Sequence, residues 1–281
     1  MNLITKEQVA QVVQDVIPGL AFDVPQDIAA GLSRAAQRET NPRAGEVLRL
    51  LLANADVAHA DRVPLCQDTG SVWVCLEIGP DVTVSGDVLS GVNEAVGRAY
   101  VDAKLRKSIV RDALFDRQNT GDNTPAFSEL RVCGKPGARL HIMLKGGGSD
   151  NASRVVMLTP GAGKQGVIDA LLSCVSEKAA NACPPLVIGV GIGATFDKVG
   201  GLAKHALMRP LDQQADDPRV RQLEEDLLAA VNATGIGAGA LGGPNTALGV
   251  RVETAPCHIA ALPLAINMGC SAMRRGTYEL V

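Results

Sequence analysis

Ala182-Cys183-Pro184-Pro185-Leu186-Val187-Ile188-Gly189-Val190 decides the fold class. Its second half is short, wholly apolar and bounded by a Cys-Pro-Pro turn, as in a strand buried on both faces. Just before it, residues 163–180 place Val167, Ile168, Leu171, Leu172 and Val175 at helical spacing. Just after it, residues 195–208 and 218–233 again read as helices. A buried strand set between helices implies an α/β protein of mixed helices and short strands.

Upstream, Thr5-Lys6-Glu7-Gln8 is a capping box before the apolar-periodic stretch Val9 to Ile17, which Pro18-Gly19 is expected to end. Pro25 and Pro42 open two further helical stretches, the second ending near His59, so the N-terminal region reads as three helices. Val72 to Ile78 reads as a strand and residues 86–117 as helical. Glu129–Cys133 and Arg139–Leu144 read as strands joined by Gly134-Lys135-Pro136-Gly137 into a hairpin. Residues 246–253 and 258–267 are β-prone. Neither an internal repeat nor a linker interrupts the chain, so residues 1–281 are expected to form one compact domain.

Hydrophobic residues at 46% and charged residues at 20% fit a soluble globular chain. With aromatics at only 2%, the core must be built from Ala, Val, Leu and Ile. A net charge of −3 gives no electrostatic case for nucleic acid. No basic-then-apolar leader opens the sequence and no run is long enough to span a membrane, so a cytoplasmic location is expected. In that reducing setting the seven cysteines are not expected to form disulfides.

Three cysteines sit in segments flanked by glycine or proline: Cys66 in Pro64–Gly70, Cys183 before Pro184-Pro185, and Cys270 closing Asn267-Met268-Gly269-Cys270. They lie 117 and 87 residues apart, and no Cys-x-x-Cys pair exists. Spacing alone therefore leaves isolated buried cysteines as the ordinary reading. Their placement at element ends, where loops converge, favours ligands. Cys75, Cys133 and Cys174 fall inside apolar or β-prone stretches and read as packing; Cys257 is open.

Several motifs occur together and in order: Cys66-Gln-Asp-Thr-Gly70, Asn119-Thr-Gly121, Lys145-Gly-Gly-Gly-Ser149, Cys183-Pro-Pro185 with Gly189-Val-Gly-Ile-Gly193, and Gly269-Cys270 with Arg274-Arg275. With these motifs the chain resembles the α subunit of the class I, iron–sulfur fumarate hydratase and L-tartrate dehydratase family, from about residue 40 to the end. The resemblance implies a [4Fe–4S] cluster held by Cys66, Cys183 and Cys270. Three thiolates on four irons leave one iron open to act as a Lewis acid, which suits hydration and dehydration without net redox change.

The same resemblance places Gln67 and Asp68 at the substrate, with Asp68 in proton transfer; the plainer alternative is an Asx turn closing on Thr69-Gly70. It gives Arg106 a substrate carboxylate, where a planar guanidinium suits bidentate binding; the alternative is a solvated helix face with Lys104, Lys107 and Arg111. Bare backbone in the run containing Gly148 is expected to contact substrate or cluster, against a flexible loop. His258 is implied near the substrate, although a lone histidine is more often structural. Gly189-x-Gly191-x-x-Ala194 also fits a relaxed dinucleotide fingerprint, but no second strand with an acidic end follows at the required distance.

The Lys-Gly-Gly-Gly-Ser and His-Ile-Ala motifs point to the fumarate/malate branch, and Arg274-Arg275-Gly276-Thr277 partly to the tartrate branch. Pro244-Asn245-Thr246 and Arg251 depart from the family's more usual residues. A second module carries the catalytic base in this family. Because Cys270 is followed by only 11 residues, that module is expected on a separate β subunit in an α2β2 assembly acting on a small dicarboxylate. The non-enzymatic alternative is an iron–sulfur sensor or scaffold.

Overall fold

The computed structural model describes residues 2–281. Its elements begin with β1 (Asn2–Ile4), α1 (Lys6–Phe22), α2 (Gln26–Arg38), α3 (Pro42–Asp61), β2 (Ser71–Ile78), β3 (Val82–Val84) and α4 (Val92–Asp102). There follow β4 (Phe127–Val132), β5 (Ala138–Lys145), α5 (Gly147–Asn151), β6 (Arg154–Leu158), α6 (Gly163–Lys178) and β7 (Leu186–Ala194). The chain ends with α7 (Val199–Ala206), α8 (Pro218–Ala233), β8 (Ala247–Cys257), β9 (Leu262–Gly269) and β10 (Arg274–Glu279). The α/β expectation holds. The chain divides into two compact units, the first comprising residues up to Pro25, Ala55–Gly147 and Arg274–Val281, the second Gln26–Asn54 and Gly148–Met273. No helix among the described residues is long and apolar enough to cross a membrane.

In the first unit a four-stranded sheet runs β10-β5-β2-β4. On one face, Val72, Val74 and Leu76 of β2 stand opposite Leu144, Ile142 and Leu140 of β5. These meet Val9, Val13, Ile17 and Leu20 of α1 and Val92, Val96 and Ala99 of α4 in one core. The capping box at Thr5 and Gln8 starts α1 as expected. Pro18 does not end it: the helix runs to Phe22, because Leu20, Ala21 and Phe22 are buried and one missing N–H removes one bond only.

The expected hairpin does not form. β2 inserts between its two strands, pairing parallel with β4 and antiparallel with β5. A strand with six consecutive buried residues needs partners on both edges, and β2 takes both. The helix expected over 86–117 is also confined to α4. Lys104 takes a left-handed φ of 53°, and side chains capture the next backbone groups.

In the second unit the sheet order is β6-β9-β7-β8, with β7 parallel to β8 and antiparallel to β9. Leu186, Ile188 and Val190 join Val167, Leu171 and Val175 of α6 and Leu227 and Val231 of α8. The opposite face carries α7. A Cβ on Gly189 would stand 2.1 Å from Ala203 O, and one on Gly191 2.5 Å from Val199 O. These two glycines therefore serve helix-on-sheet contact, which accounts for the fingerprint without a nucleotide.

Candidate functional site

In the first unit, Cys66-Gln67-Asp68-Thr69-Gly70 links α3 to β2. Its backbone is held by buried side chains. The Tyr100 hydroxyl donates to Thr69 O at 2.9 Å and to Gly70 O at 3.3 Å. Burial pushes the Tyr100 phenol up, so it stays a donor at ordinary pH. The fully buried Asn123 carboxamide donates to Gly70 O at 3.0 Å and accepts from Ser108 N–H at 2.7 Å. Thr69 donates to Arg106 O, and Asn119 to Lys107 O at 2.9 Å. Segments 66–70, 105–108 and 119–123 thus form one knot.

That knot sets Arg106 beside Asp68. Asp68 Oδ2 accepts from Gly147 N–H at 2.7 Å, Oδ1 accepts from Gly70 N–H at 3.1 Å, and Arg106 Nη2 lies 3.6 Å from Oδ1. The Asx turn exists, but it accounts for one of three partners. The Arg106 side chain is 55% exposed, so as a surface ion pair it adds little stability. Its Nη2 also donates to Ser108 Oγ at 3.5 Å, and the exposed guanidinium has the planar fork that suits bidentate binding of a carboxylate. The Cys66 thiol donates to Gln67 Oε1 at 3.3 Å, and Gln67 is exposed. A Cβ on Gly146 would stand 3.3 Å from Asp68 Oδ2 and 3.7 Å from Arg274 Nη2.

In the second unit, Cys183 closes a 3-10 turn with left-handed φ and ψ of 56° and 69°. Cys270 follows β9. Because β7 begins beside the end of β9, with Val187 opposite Gly269, the two cysteine loops are neighbours. Ser271 N–H donates to Cys183 O at 3.1 Å and ties them together. Gly148 also belongs here: a Cβ on it would stand 3.2 Å from Asn181 O, in the turn leading to Cys183. His258 does not join them. It lies in the exposed β8–β9 loop, its Nδ1 accepting from Ala260 N–H at 3.1 Å. β9 separates it from Cys270 by roughly 25 Å of extended chain.

Cys75 and Cys174 are buried, as expected of packing residues, whereas Cys66 and Cys270 are half-buried and Cys183 is exposed. Cys133 lies one residue past β4 and is half-buried, because the strand ends at Val132. Cys257 is exposed at the end of β8. Burial pushes the Cys75 thiol up to about 12 and moves Cys174 the same way. A folded-state value above the ordinary 9.0 means that Cys75 stabilises the fold fully below pH 9. That contribution is lost as pH rises from about 9 towards 12, by up to about 4 kcal/mol. Urea melts of wild type and Cys75→Ala across this range should show a shallower alkaline loss in the variant; parallel losses would show that Cys75 is not responsible.

Sequence reasoning missed Tyr100 and Asn123, and it placed Arg274 in a family motif without foreseeing its burial. Tyr100 is one of two tyrosines, inside an otherwise apolar helix face, and such a hydroxyl needs a partner when buried. Asp122-Asn123-Thr124-Pro125 carries turn residues, the one local signal that marks a loop at Asn123. Arg274 is only 1% exposed, with Nε and Nη1 unpartnered among the described residues; nothing local marks an arginine for burial.

Comparison with known proteins agrees with these motifs. The family model described as Fumarate hydratase (Fumerase) matches residues 10–279. A Methanocaldococcus jannaschii protein provisionally named L(+)-tartrate dehydratase subunit alpha is 34% identical over 274 residues, 95% of this chain and 96% of its own. The L(+)-tartrate dehydratase subunit alpha of Escherichia coli K12 is 30% identical over 274 residues, 96% of this chain and 90% of its own. The Shigella sonnei subunit of the same name matches to the same extent. With its motifs carried on loops that the fold builds around Asp68 and Cys183, and a family match running almost end to end, the chain belongs to the fumarate hydratase family.

Proposed function

We propose that this chain is the α subunit of a [4Fe–4S]-dependent hydro-lyase acting on a four-carbon dicarboxylate, with residues 1–281 forming its α-type catalytic module. The observation that carries the reading is the Asp68–Arg106 pair, set directly after Cys66 by buried hydrogen bonds. Cys66, Cys183 and Cys270 would hold the cluster. The donor set fits: three thiols at loop ends outside the packed core, two of them on loops tied by Ser271. When bound, the cluster would supply a Lewis acid at the iron that no cysteine holds.

The chain's own residues do the rest of its share. Arg106 takes one substrate carboxylate and fixes its plane. Gln67, exposed one residue before Asp68, offers its amide to the substrate, and Gly148 is assigned a substrate contact through its backbone. Asp68, already hydrogen-bonded by Gly147 and Gly70, holds or passes a proton at Oδ1, the oxygen facing Arg106. No step is assigned to His258, which β9 holds away from Cys270 within one chain.

The reaction is read as reversible hydration of fumarate to L-malate. Dehydration of L(+)-tartrate is the second reading, favoured by the names of the relatives above. Those names, as alpha subunits, support a separate β subunit. We place the catalytic base on that β subunit, in an α2β2 assembly in the cytoplasm, with no nucleic acid or membrane partner. The test is an anaerobic assay of the co-purified complex with fumarate, L-malate and both tartrate enantiomers, alongside EPR. Turnover of one substrate pair, with a spectrum that changes on its addition, is expected. A cluster spectrum indifferent to all four, without turnover, would instead identify a sensor. Full-rate hydration by this chain alone would sink the two-polypeptide reading.

A further inference from the structure

β4 is the outermost strand of the first unit's sheet, paired with β2 on one side and, among the described residues, with no strand on the other. Five of its six residues are exposed and Arg131 is half-buried, so both faces are open as well as one edge. Phe127, Leu130 and Val132 are 53%, 46% and 74% exposed. Proteins usually blunt such an edge with proline, lysine or a bulge, because it templates pairing with another chain. Here residues 127–132 contain neither proline nor lysine, and the register with β2 runs unbroken from Trp73–Phe127 to Ile78–Val132.

The strand reads Phe127-Ser128-Glu129-Leu130-Arg131-Val132, and its charges are self-complementary about Leu130. Laid antiparallel against its own copy, with Leu130 opposite Leu130, each Glu129 faces Arg131 of the copy. Twofold symmetry makes that pair twice. On the other face Ser128 meets Val132, leaving Leu130 and Val132 of both copies in one apolar patch. Other registers lose this match. A shift of one residue sets Glu129 or Arg131 opposite Leu130. A shift of two sets glutamate against glutamate or arginine against arginine, which is destabilising. Arg131 Nε already lies 3.7 Å from Glu77 Oε2 on β2, and a guanidinium with five donors can serve a second carboxylate.

We propose that β4 is a self-association strand: two copies of this chain pair antiparallel about Leu130, merging two four-stranded sheets into one of eight. The occupant is a second copy because the edge's charge order matches its own reversal. The inference is independent of the reaction assigned above.

The test is site-specific crosslinking of the full chain in its co-purified complex. Under mild oxidation Leu130→Cys should give a disulfide-linked dimer above the wild-type background, because its counterpart sits directly across the dyad at about 5 Å between Cβ atoms. Ser128→Cys should not, because its counterpart lies about 13 Å away along the strand. Leu130→Lys should halve the mass of the complex by light scattering, while its circular dichroism spectrum stays that of the folded wild type, since the side chain is half exposed. Absence of the Leu130→Cys crosslink, or an equal crosslink at position 128, overturns the proposal. So does loss of a different polypeptide from the complex in Leu130→Lys, which would make that polypeptide the occupant.

Discussion

Cys183→Ser in the assembled enzyme is expected to lose hydro-lyase turnover by more than roughly 100-fold, since even outer partners of a metal site contribute 10–100-fold in affinity or activity. The metal-free chain should keep its fold. Cys183 is exposed, serine has nearly its volume, and surface changes of this kind usually move stability within about 0.5 kcal/mol. Cys257→Ser is the matched control, because Cys257 is also exposed but closes its own loop by donating to Ala261 O at 3.2 Å. Iron content per chain, anaerobic turnover and the melting temperature of the metal-free protein separate the effects. Full turnover in Cys183→Ser, or equal losses in both variants, would remove Cys183 from the ligand set.

Gly70→Ala should damage the fold and the site together. Gly70 has a φ of +80°, and a Cβ there would stand 2.6 Å from Lys145 O, 2.7 Å from its carbonyl carbon and 2.9 Å from its amide nitrogen. All three are backbone atoms of β5, so no side chain can turn aside. The left-handed conformation alone costs about 1–2 kcal/mol for a residue with a Cβ. Adding the clash, the total is expected above about 3 kcal/mol, within the range of severe single substitutions. Gly121→Ala isolates the first part: its φ is +84°, and nothing lies within 4 Å of the new Cβ. Denaturant midpoints for the two variants should differ accordingly. If they coincide, contact with β5 is not what demands glycine at 70. Because Gly70 also receives Tyr100 and Asn123 and donates to Asp68, residual folded Gly70→Ala should bind dicarboxylate more weakly than Gly121→Ala.

Much of the fold was legible because helical periodicity is local. Val9, Val13 and Ile17, or Val167, Leu171 and Val175, declare an apolar face whatever covers it, and α1 and α6 appear where that spacing occurs. The fully apolar run after Cys183 likewise became the central strand β7. Where local pattern misled, a distant group intervened. Residues 103–117 carry helix-forming residues, yet Thr69 and Asn123 take the backbone groups of Arg106 and Ser108. β4 and β5 are joined by turn residues suited to a hairpin, yet β2 inserts between them.

The site divides the same way. By itself the sequence determined the family, through the order of Cys66-Gln67-Asp68, the glycine run and the cysteines at 183 and 270 along the chain. Those are matters of residue identity and order. Only the tertiary structure decided that Arg106 leaves the helix to meet Asp68 and that Gly189 and Gly191 serve α7 rather than a nucleotide. It also decided that Arg274 is buried and that His258 stands at the far end of β9 from Cys270. Pairing, burial and the capture of backbone groups by distant side chains depend on which segments meet, and residue spacing along a chain does not carry that information.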